Sequence, residues 1–155
     1  MSLVSAAARP HPDRLRPALY PVRSTVEARF GDMDANRHLN NLALEAMHEN
    51  ARATLNTQVF PGVYTASDRR YRIVAANSVV HFLRESHWPA TIHTGIGIGR
   101  IGRTSYVAST GLFVADACIS LCDTVLVLLD DDGPAPIPED ARAQLTALLL
   151  AVPPE

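Results

Sequence analysis

Apolar residues along the chain switch between a two-residue and a helical period, and each switch marks an element. In residues 20–30, YPVRSTVEARF, apolar and polar positions alternate well enough for a first strand. A polar loop follows, and after Asn41 the period changes. Within NNLALEAMHENARATLN, Leu44, Met47, Ala51 and Leu55 recur at helical spacing while Glu45, Glu49 and Arg52 supply a polar side, which predicts a helix over residues 41–55. Asn40 or Asn41 is its natural N-cap, because an asparagine oxygen can accept from the first free backbone amides. The alanines at 43, 46, 51 and 53 make the helix slim, as suits one enclosed by other elements. TQVFPGVYTASDRR is a connection, since Pro61 and Gly62 break any regular period. Residues 71–129 then read as strands: YRIVAANSVVHFLRE, ATIHTGIGIGR, TSYVASTGLFVA and ACISLCDTVLVLLD. Their short separations imply an antiparallel meander. DDDGPAPIP stops the last strand, and EDARAQLTALLLAV predicts a terminal helix. Residues 1–18, rich in Ala, Pro and Arg, read as a flexible N-terminal arm, and residues 19–152 as a single domain without internal repeats.

One strand carries an unusual pattern. His93, Gly95, Gly97 and Gly99 share one parity and Ile92, Ile96 and Ile98 the other, so one face is nearly bare backbone. Such a face lets a bulky group approach closely, or lets the strand bend. The same glycines spell G-x-G-x-x-G with Gly102, but RTSYVASTG follows as a strand. A dinucleotide fingerprint works only by opening a helix, so a glycine-rich hairpin is the better reading.

Composition narrows the class. The chain has 155 residues, 47% hydrophobic and 19% charged, enough for one domain with a real core. A formal charge of −2 supplies no broad cationic field for nucleic acid or an acidic membrane. Cys118 and Cys122 lie in an apolar run; four residues apart on a strand they would share a face, too far apart to bridge, and they read as reduced core residues. The N-terminus lacks the pattern of a signal peptide and no run reaches membrane-spanning length, so the expected location is cytoplasmic. Histidines 81, 87 and 93 fall on different strands or turns, and no metal is expected.

The stretch FGDMDANRHLNN, residues 30–41, concentrates polar chemistry just before the helix. Turn chemistry accounts for much of it, since Asp and Asn side chains bond their own backbone in tight loops. Asp32 reads as a structural hydrogen-bonding acid. Glu45 and Glu49 fit a solvated helix face, and Glu49 can pair with Arg52 one turn on.

Strand, polar loop, helix opening at Asn-Asn and a long antiparallel run resemble the hotdog fold. That is an α+β fold in which a curved antiparallel sheet of five or six strands wraps a central helix. More narrowly, DMDANRHLNNLALEAMHENAR resembles the acyl-CoA thioesterases of the 4-hydroxybenzoyl-CoA thioesterase type, whose pattern is approximately D-x-D-x-x-G-H-x-N-N followed by a helix ending E-x-A-R. Asp32, Asp34, His38, Asn40, Asn41, Glu49, Ala51 and Arg52 fall on it. RIGRTSY, residues 100–106, resembles the family's turn and strand with a serine after the basic residue, and PIP near the end also fits. Arg37 stands where the family usually has glycine, and Leu44 where an aromatic residue is common.

The resemblance implies release of a free carboxylic acid from an acyl-CoA or acyl-carrier thioester, with coenzyme A as part of the substrate and no separate cofactor. It also implies a homodimer able to pair into a tetramer, with active sites between subunits and the partner's residues 77–81 completing the pocket. Nucleic acid and membrane are not expected partners. Thioester hydrolysis needs a carboxylate to activate water or attack the carbonyl, and donors to hold the charge that develops on oxygen. Asp34 is the candidate base or nucleophile. Asn40 and Asn41 shape the loop and cap, and His38 orients the loop or borders the thioester. Free amides at Asn41 and Leu42, backed by the helix dipole, form the candidate oxyanion site. Arg100, Arg103 and Ser105 join Leu42 as candidate substrate-binding residues, the arginines for coenzyme A phosphates. Glu45 is the reserve catalytic acid, because some hotdog thioesterases carry the acid on the helix. Hotdog enoyl-CoA hydratases are the rival enzymes. Their loop reads D-x-N-P-x-H, with histidine five residues after aspartate, whereas His38 follows Asp34 by four and no proline intervenes. A non-catalytic acyl-CoA-binding protein is the third reading, because fold alone does not fix function.

Overall fold

The Asn40 side-chain oxygen accepts the Ala43 amide at 2.7 Å, and the central helix α1 (Asn41–Val59) starts there in the computed structural model of the protein, which describes residues 3–4 and 8–151. Leu44, Met47, Ala51 and Leu55 form its buried stripe, as their spacing predicts. The helix runs past the expected stop because Asn56 and Val59 still face the core. It ends at Phe60, whose helical conformation the following Pro61 disfavours.

Six strands surround it: β1 (Val22–Glu27), β2 (Arg72–Phe82), β3 (Thr91–Ile101), β4 (Ser105–Val114), β5 (Ala117–Asp130) and β6 (Gly133–Pro134). The sheet order is β1-β3-β4-β5-β2 with β6 beside β5, and every pairing is antiparallel. This curled sheet with its helix is the hotdog architecture, α+β in class. The expected meander covers only β3, β4 and β5. β2 pairs with β5 instead of β3, because residues 83–90 carry the chain across the end of the sheet rather than turning it back. β1 and β2 therefore lie at opposite edges.

Leu55 and Val59 pack on Ile96, Ile98, Tyr106 and Leu128, while Leu44 and Met47 pack on Ile92, Leu112 and Ile119. Each such side chain, fully buried, contributes on the order of 1.5–3 kcal/mol. A second helix, α2 (Glu139–Ala147), adds Ala141 and Leu145 to the first group.

The bare face of β3 is the outer one, and the chain's own ends cover it. A Cβ on Gly95 would stand 2.6 Å from Cγ of Tyr20, and one on Gly97 would enter the Leu150 side chain. Leu150 is placed by its amide, which donates to the Ile98 carbonyl at 2.8 Å. Tyr20 donates its hydroxyl to the Arg14 carbonyl at 2.9 Å, and Arg14 pairs with Asp123 on β5 at 2.9 Å. Residues 12–19 of the expected arm thus lie on the sheet as two 3₁₀ turns, Pro12–Leu15 and Pro17–Leu19. Residues 1–2 and 5–7 of that arm, and the domain end at 152, fall outside the described residues.

Both cysteines are free thiols, but they do not share a face. Phe113 pairs with Cys118 and Leu112 with Ser120, so Ile119 is an extra residue and the alternation slips there. Cys118 joins Tyr20, Phe113 and Leu121 outside, whereas Cys122 meets the Thr124 hydroxyl. Burial pushes the Cys118 thiol up to about 11, which suits an unreactive role.

Candidate active site

The polar loop closes on itself before α1 begins. Met33 and Leu39 form an antiparallel bridge, the Asp34 amide donates to the His38 carbonyl at 2.9 Å, and the Arg37 amide returns to the Asp34 carbonyl at 3.0 Å. Inside, Asp34 Oδ1 accepts the amides of Asn36 at 2.8 Å and His38 at 3.4 Å. Oδ2 takes no donor among the described residues. The expected turn chemistry is therefore present, and it occupies one carboxylate oxygen only. Arg37 closes the loop at φ 65°, in the left-handed region. That is why glycine suits this position in the family pattern.

Asp32 anchors the base of the loop. Its buried carboxylate takes the Arg29 amide at 2.8 Å and the Arg29 guanidinium at 2.9 Å, while its carbonyl takes the Asn40 amide at 2.8 Å. Burial opposes ionisation here, but the Arg29 hydrogen bonds and charge outweigh it and hold the carboxyl below its usual range. The structural reading of Asp32 stands.

From the other side the connection after β2 braces the loop. The Leu39 amide donates to the Ser86 carbonyl at 2.8 Å, and His87 Nδ1–H donates to the Arg37 carbonyl at 2.8 Å. His38 Nε2 lies 3.2 Å from the Glu85 carboxylate, and its ring meets that of His87 edge-on at 5.2 Å. Between the two walls lies an open cleft of about 520 Å³. Asp34, His38, Asn40, Asn41 and Leu42 line one wall; Phe82, Leu83, Arg84 and Glu85 line the other.

The start of α1 faces this cleft. Asn40 takes the Ala43 amide on its side chain and the Leu44 amide on its carbonyl. Among the described residues the amides of Asn41 and Leu42 meet no acceptor, and they stand at the positive end of a 19-residue helix. An anionic oxygen in the cleft would find both.

Two buried polar side chains of α1 were not foreseen. His48 is fully buried, with Nδ1 2.7 Å from the Thr110 hydroxyl and Nε2 2.9 Å from the Ser120 hydroxyl. Ser120 donates its only hydroxyl proton to the His81 carbonyl at 2.9 Å, so it accepts from Nε2–H, and Thr110 donates to Nδ1. Neutral imidazole satisfies every atom. Burial, then the cations Arg52 and Arg14, lower the His48 pKa to about 3. Asn56 likewise receives the Tyr106 hydroxyl and donates to Tyr64 at 2.9 Å. Only their helical positions, on the apolar stripe, marked them in the sequence.

The remaining candidates lie elsewhere. Glu45 sits one turn into α1, in an adjoining groove with Glu49, Arg52, Ser78 and Cys122 that shares Leu42 with the cleft. Glu49 and Arg52 form no ion pair among the described residues. Arg100, Arg103 and Ser105 stand at the β3–β4 turn, the far end of β3 from the loop. Eleven extended residues separate those ends by about 33 Å, so one chain does not bring them to Asp34. Glu85, Arg84 and Leu83, absent from the sequence reading, take their places because β2 ends at the loop. Among the described residues no group of three or more His, Cys, Asp or Glu side chains gathers to hold a metal, and no helix is long and apolar enough to cross a membrane.

Similar proteins agree with this fold. The thioesterase-like superfamily matches residues 28–145. No curated protein matches the chain. Among solved structures, the PA5185 protein of Pseudomonas aeruginosa superposes with a TM-score of 0.79 at 20% identity, covering 88% of this chain and 97% of that one. A thioesterase-superfamily protein from Jannaschia sp. CCS1 gives 0.76 at 24%, covering 96% and 100%. A Thermus thermophilus thioesterase, solved with coenzyme A and zinc, gives 0.72 at 27%, covering 81% and 98%. The match spans the Asp34 loop, α1 and strands β2 to β6, so the chain belongs to the thioesterase-like superfamily and is, by that membership, a thioester hydrolase.

Proposed function

We propose that the protein hydrolyses acyl-CoA thioesters in the cleft at the start of α1, in the manner of the 4-hydroxybenzoyl-CoA thioesterase type, with Asp34 as general base or nucleophile. One observation carries this reading: a carboxylate oxygen without a donor and two open helix amides share one cleft. As base, Asp34 takes a proton from water while the water oxygen adds to the thioester carbon. As nucleophile, it adds to that carbon itself, and water then hydrolyses the anhydride. In both routes the carbonyl oxygen becomes an oxyanion against the Asn41 and Leu42 amides, the C–S bond breaks, and coenzyme A leaves as the thiolate, which takes the proton held by Asp34 in the first route and one from water in the second. His38, held by Glu85, borders the thioester without carrying the proton. Coenzyme A in the Thermus relative supports this substrate class.

A homodimer completes the site. β2 pairs only with β5 among the described residues, so its other edge is open. Antiparallel pairing of two β2 edges about a two-fold axis sets the start of the partner's strand beside the end of this one. The partner's β3–β4 turn comes with it, which gives Arg100, Arg103 and Ser105 a route to the cleft. A stable monomer in sedimentation at micromolar concentration would contradict this arrangement.

A released-thiol assay over a panel of acyl-CoA esters tests the activity. Asp34→Asn should keep the fold yet lose at least ~100-fold in turnover, the scale of a positioned base. His38→Ala should lose less. If Asp34→Asn retains hydrolysis while Glu45→Gln abolishes it, the acid lies on the helix. If the wild type hydrates enoyl-CoA and leaves thioesters intact, the hydratase reading takes over.

A further inference from the structure

Asp34 borders a second opening, which shares no other residue with the cleft. Phe30, Met33, Arg37, His87 and Trp88 line this pocket of about 500 Å³ with it. Phe30 and Trp88 meet edge-on with ring centroids 5.3 Å apart, yet they stay 68% and 43% exposed. Open aromatic area beside a candidate catalytic carboxylate suits the apolar body of a ligand.

Arg37 adds a charge there that the fold does not explain. Its left-handed backbone, at φ 65°, costs stability in a residue with a Cβ. The two backbone bonds it makes, to the Asp34 carbonyl and from His87, are ones that glycine would make without strain. Its guanidinium has no hydrogen bond or ion pair among the described residues, so no contact within the chain offsets that cost. His87 donates Nδ1–H to the Arg37 carbonyl, and its other ring nitrogen, when the ring is neutral, only accepts. Arg37 is the pocket's permanent cation.

We propose that this pocket receives the acyl body of the thioester and that Arg37 selects acyl groups ending in a carboxylate, the half-thioesters of dicarboxylic acids. The proposal rests on the acyl-CoA reading above and adds the substrate class. A thioester carbon beside Asp34 turns its oxygen toward the α1 amides on the cleft side, which leaves two directions for sulfur and acyl group. The apolar body takes the one with apolar walls. Asp34 and Arg37 span one tight turn, joined by the Arg37 amide on the Asp34 carbonyl at 3.0 Å, so their Cα atoms lie within about 7 Å. A single ring or a short chain therefore reaches from the reacting carbon to the guanidinium, which binds a carboxylate through two parallel hydrogen bonds.

A pair of esters that differ only in the carboxylate tests this. 4-Carboxybenzoyl-CoA should be hydrolysed with a kcat/KM at least ~10-fold above that of benzoyl-CoA, and Arg37→Gly and Arg37→Gln should each abolish the preference, the scale of one charge-assisted pair. Trp88 is the chain's single tryptophan, so its fluorescence reports on the pocket without any turnover. 4-Carbamoylbenzoate, with a neutral amide where the thioester would be, should quench it saturably in the wild type and bind Arg37→Gly at least ~10-fold more weakly; benzamide should not distinguish the two proteins. A preference or a quenching affinity that Arg37→Gly leaves unaltered would overturn the proposal, because a merely solvated arginine gives that result. Quenching by coenzyme A alone and not by 4-carbamoylbenzoate would overturn it too, by assigning the pocket to the other end of the substrate. Arg37-dependent quenching in a protein that hydrolyses no thioester would sink the hydrolase reading and leave the pocket standing.

Discussion

Acid should weaken this fold through His48, a residue outside the proposed chemistry. In the folded chain its imidazole is neutral, with Thr110 donating to Nδ1 and Ser120 accepting from Nε2. A second ring proton would face the Thr110 hydroxyl, whose alternative acceptor, the Cys122 carbonyl, is distant at 3.4 Å. Burial and the cations Arg52 and Arg14 reinforce the cost, and the folded pKa drops to about 3 from the ordinary 6.5. The unfolded chain, with its histidine in water, takes the proton near 6.5. Below that pH it therefore binds more protons than the folded chain, and stability falls as pH falls. The contribution is complete above 6.5 and disappears as pH drops through the interval down to about 3.

Each pH unit in that interval removes about 1.4 kcal/mol, and the whole interval on the order of 5 kcal/mol. A typical domain has only ~5–15 kcal/mol to lose. Urea unfolding followed by circular dichroism at pH 7, 6, 5 and 4 measures the slope. His48→Gln keeps an amide near both hydroxyls but has no proton to gain, so it should be less stable at pH 7 and flatter below pH 6 by about that 1.4 kcal/mol per unit. Asp32, held below its usual range, loses its contribution only at lower pH, and does so in both proteins. Parallel slopes for the two proteins, or a His48 ring resonance titrating near 6.5, would refute the argument.

Other positions give sharper local tests. Gly95→Ala puts a methyl 2.6 Å from Tyr20 Cγ, and Tyr20 is tied at its hydroxyl by Arg14, so the ring cannot swing away freely; a loss of about 1–3 kcal/mol in chemical denaturation is expected. Arg37→Gly relieves a left-handed conformation at 65° in a residue whose side chain makes no hydrogen bond among the described residues, and should raise the urea midpoint by the equivalent of about 0.5–1 kcal/mol.

Local period and capping made the elements legible. The strand runs, the Asn40 cap and the Leu44–Met47–Ala51–Leu55 stripe depend on neighbours within a few residues, and all appear where their spacing puts them. The glycine parity on β3 also carried information, since it marked a face that something approaches closely. What it did not carry was the identity of the approaching groups. Tyr20 and Leu150 are far from β3 in sequence, and no periodicity links them to it. The same limit explains β2. Its residues read as a strand from their own pattern, but the choice of β5 over β3 depends on where the chain crosses, which short-range patterns do not encode.

The active-site loop divides along the same line. Asp34, His38, Asn40 and Asn41 fall within one short stretch and fold on one another, so the sequence displays that wall of the cleft entire. Glu85, Arg84 and Leu83 arrive through the path of β2, and only the tertiary structure sets Glu85 at 3.2 Å from His38. Arg100, Arg103 and Ser105 go one step further, because about 33 Å of extended strand separates them from Asp34 in their own chain. A resemblance can name such residues correctly for a pair of chains and still misplace them for one. The order in which groups became visible, loop first and opposite wall next, is therefore the order of the distances over which each must be assembled: within a turn and across a sheet.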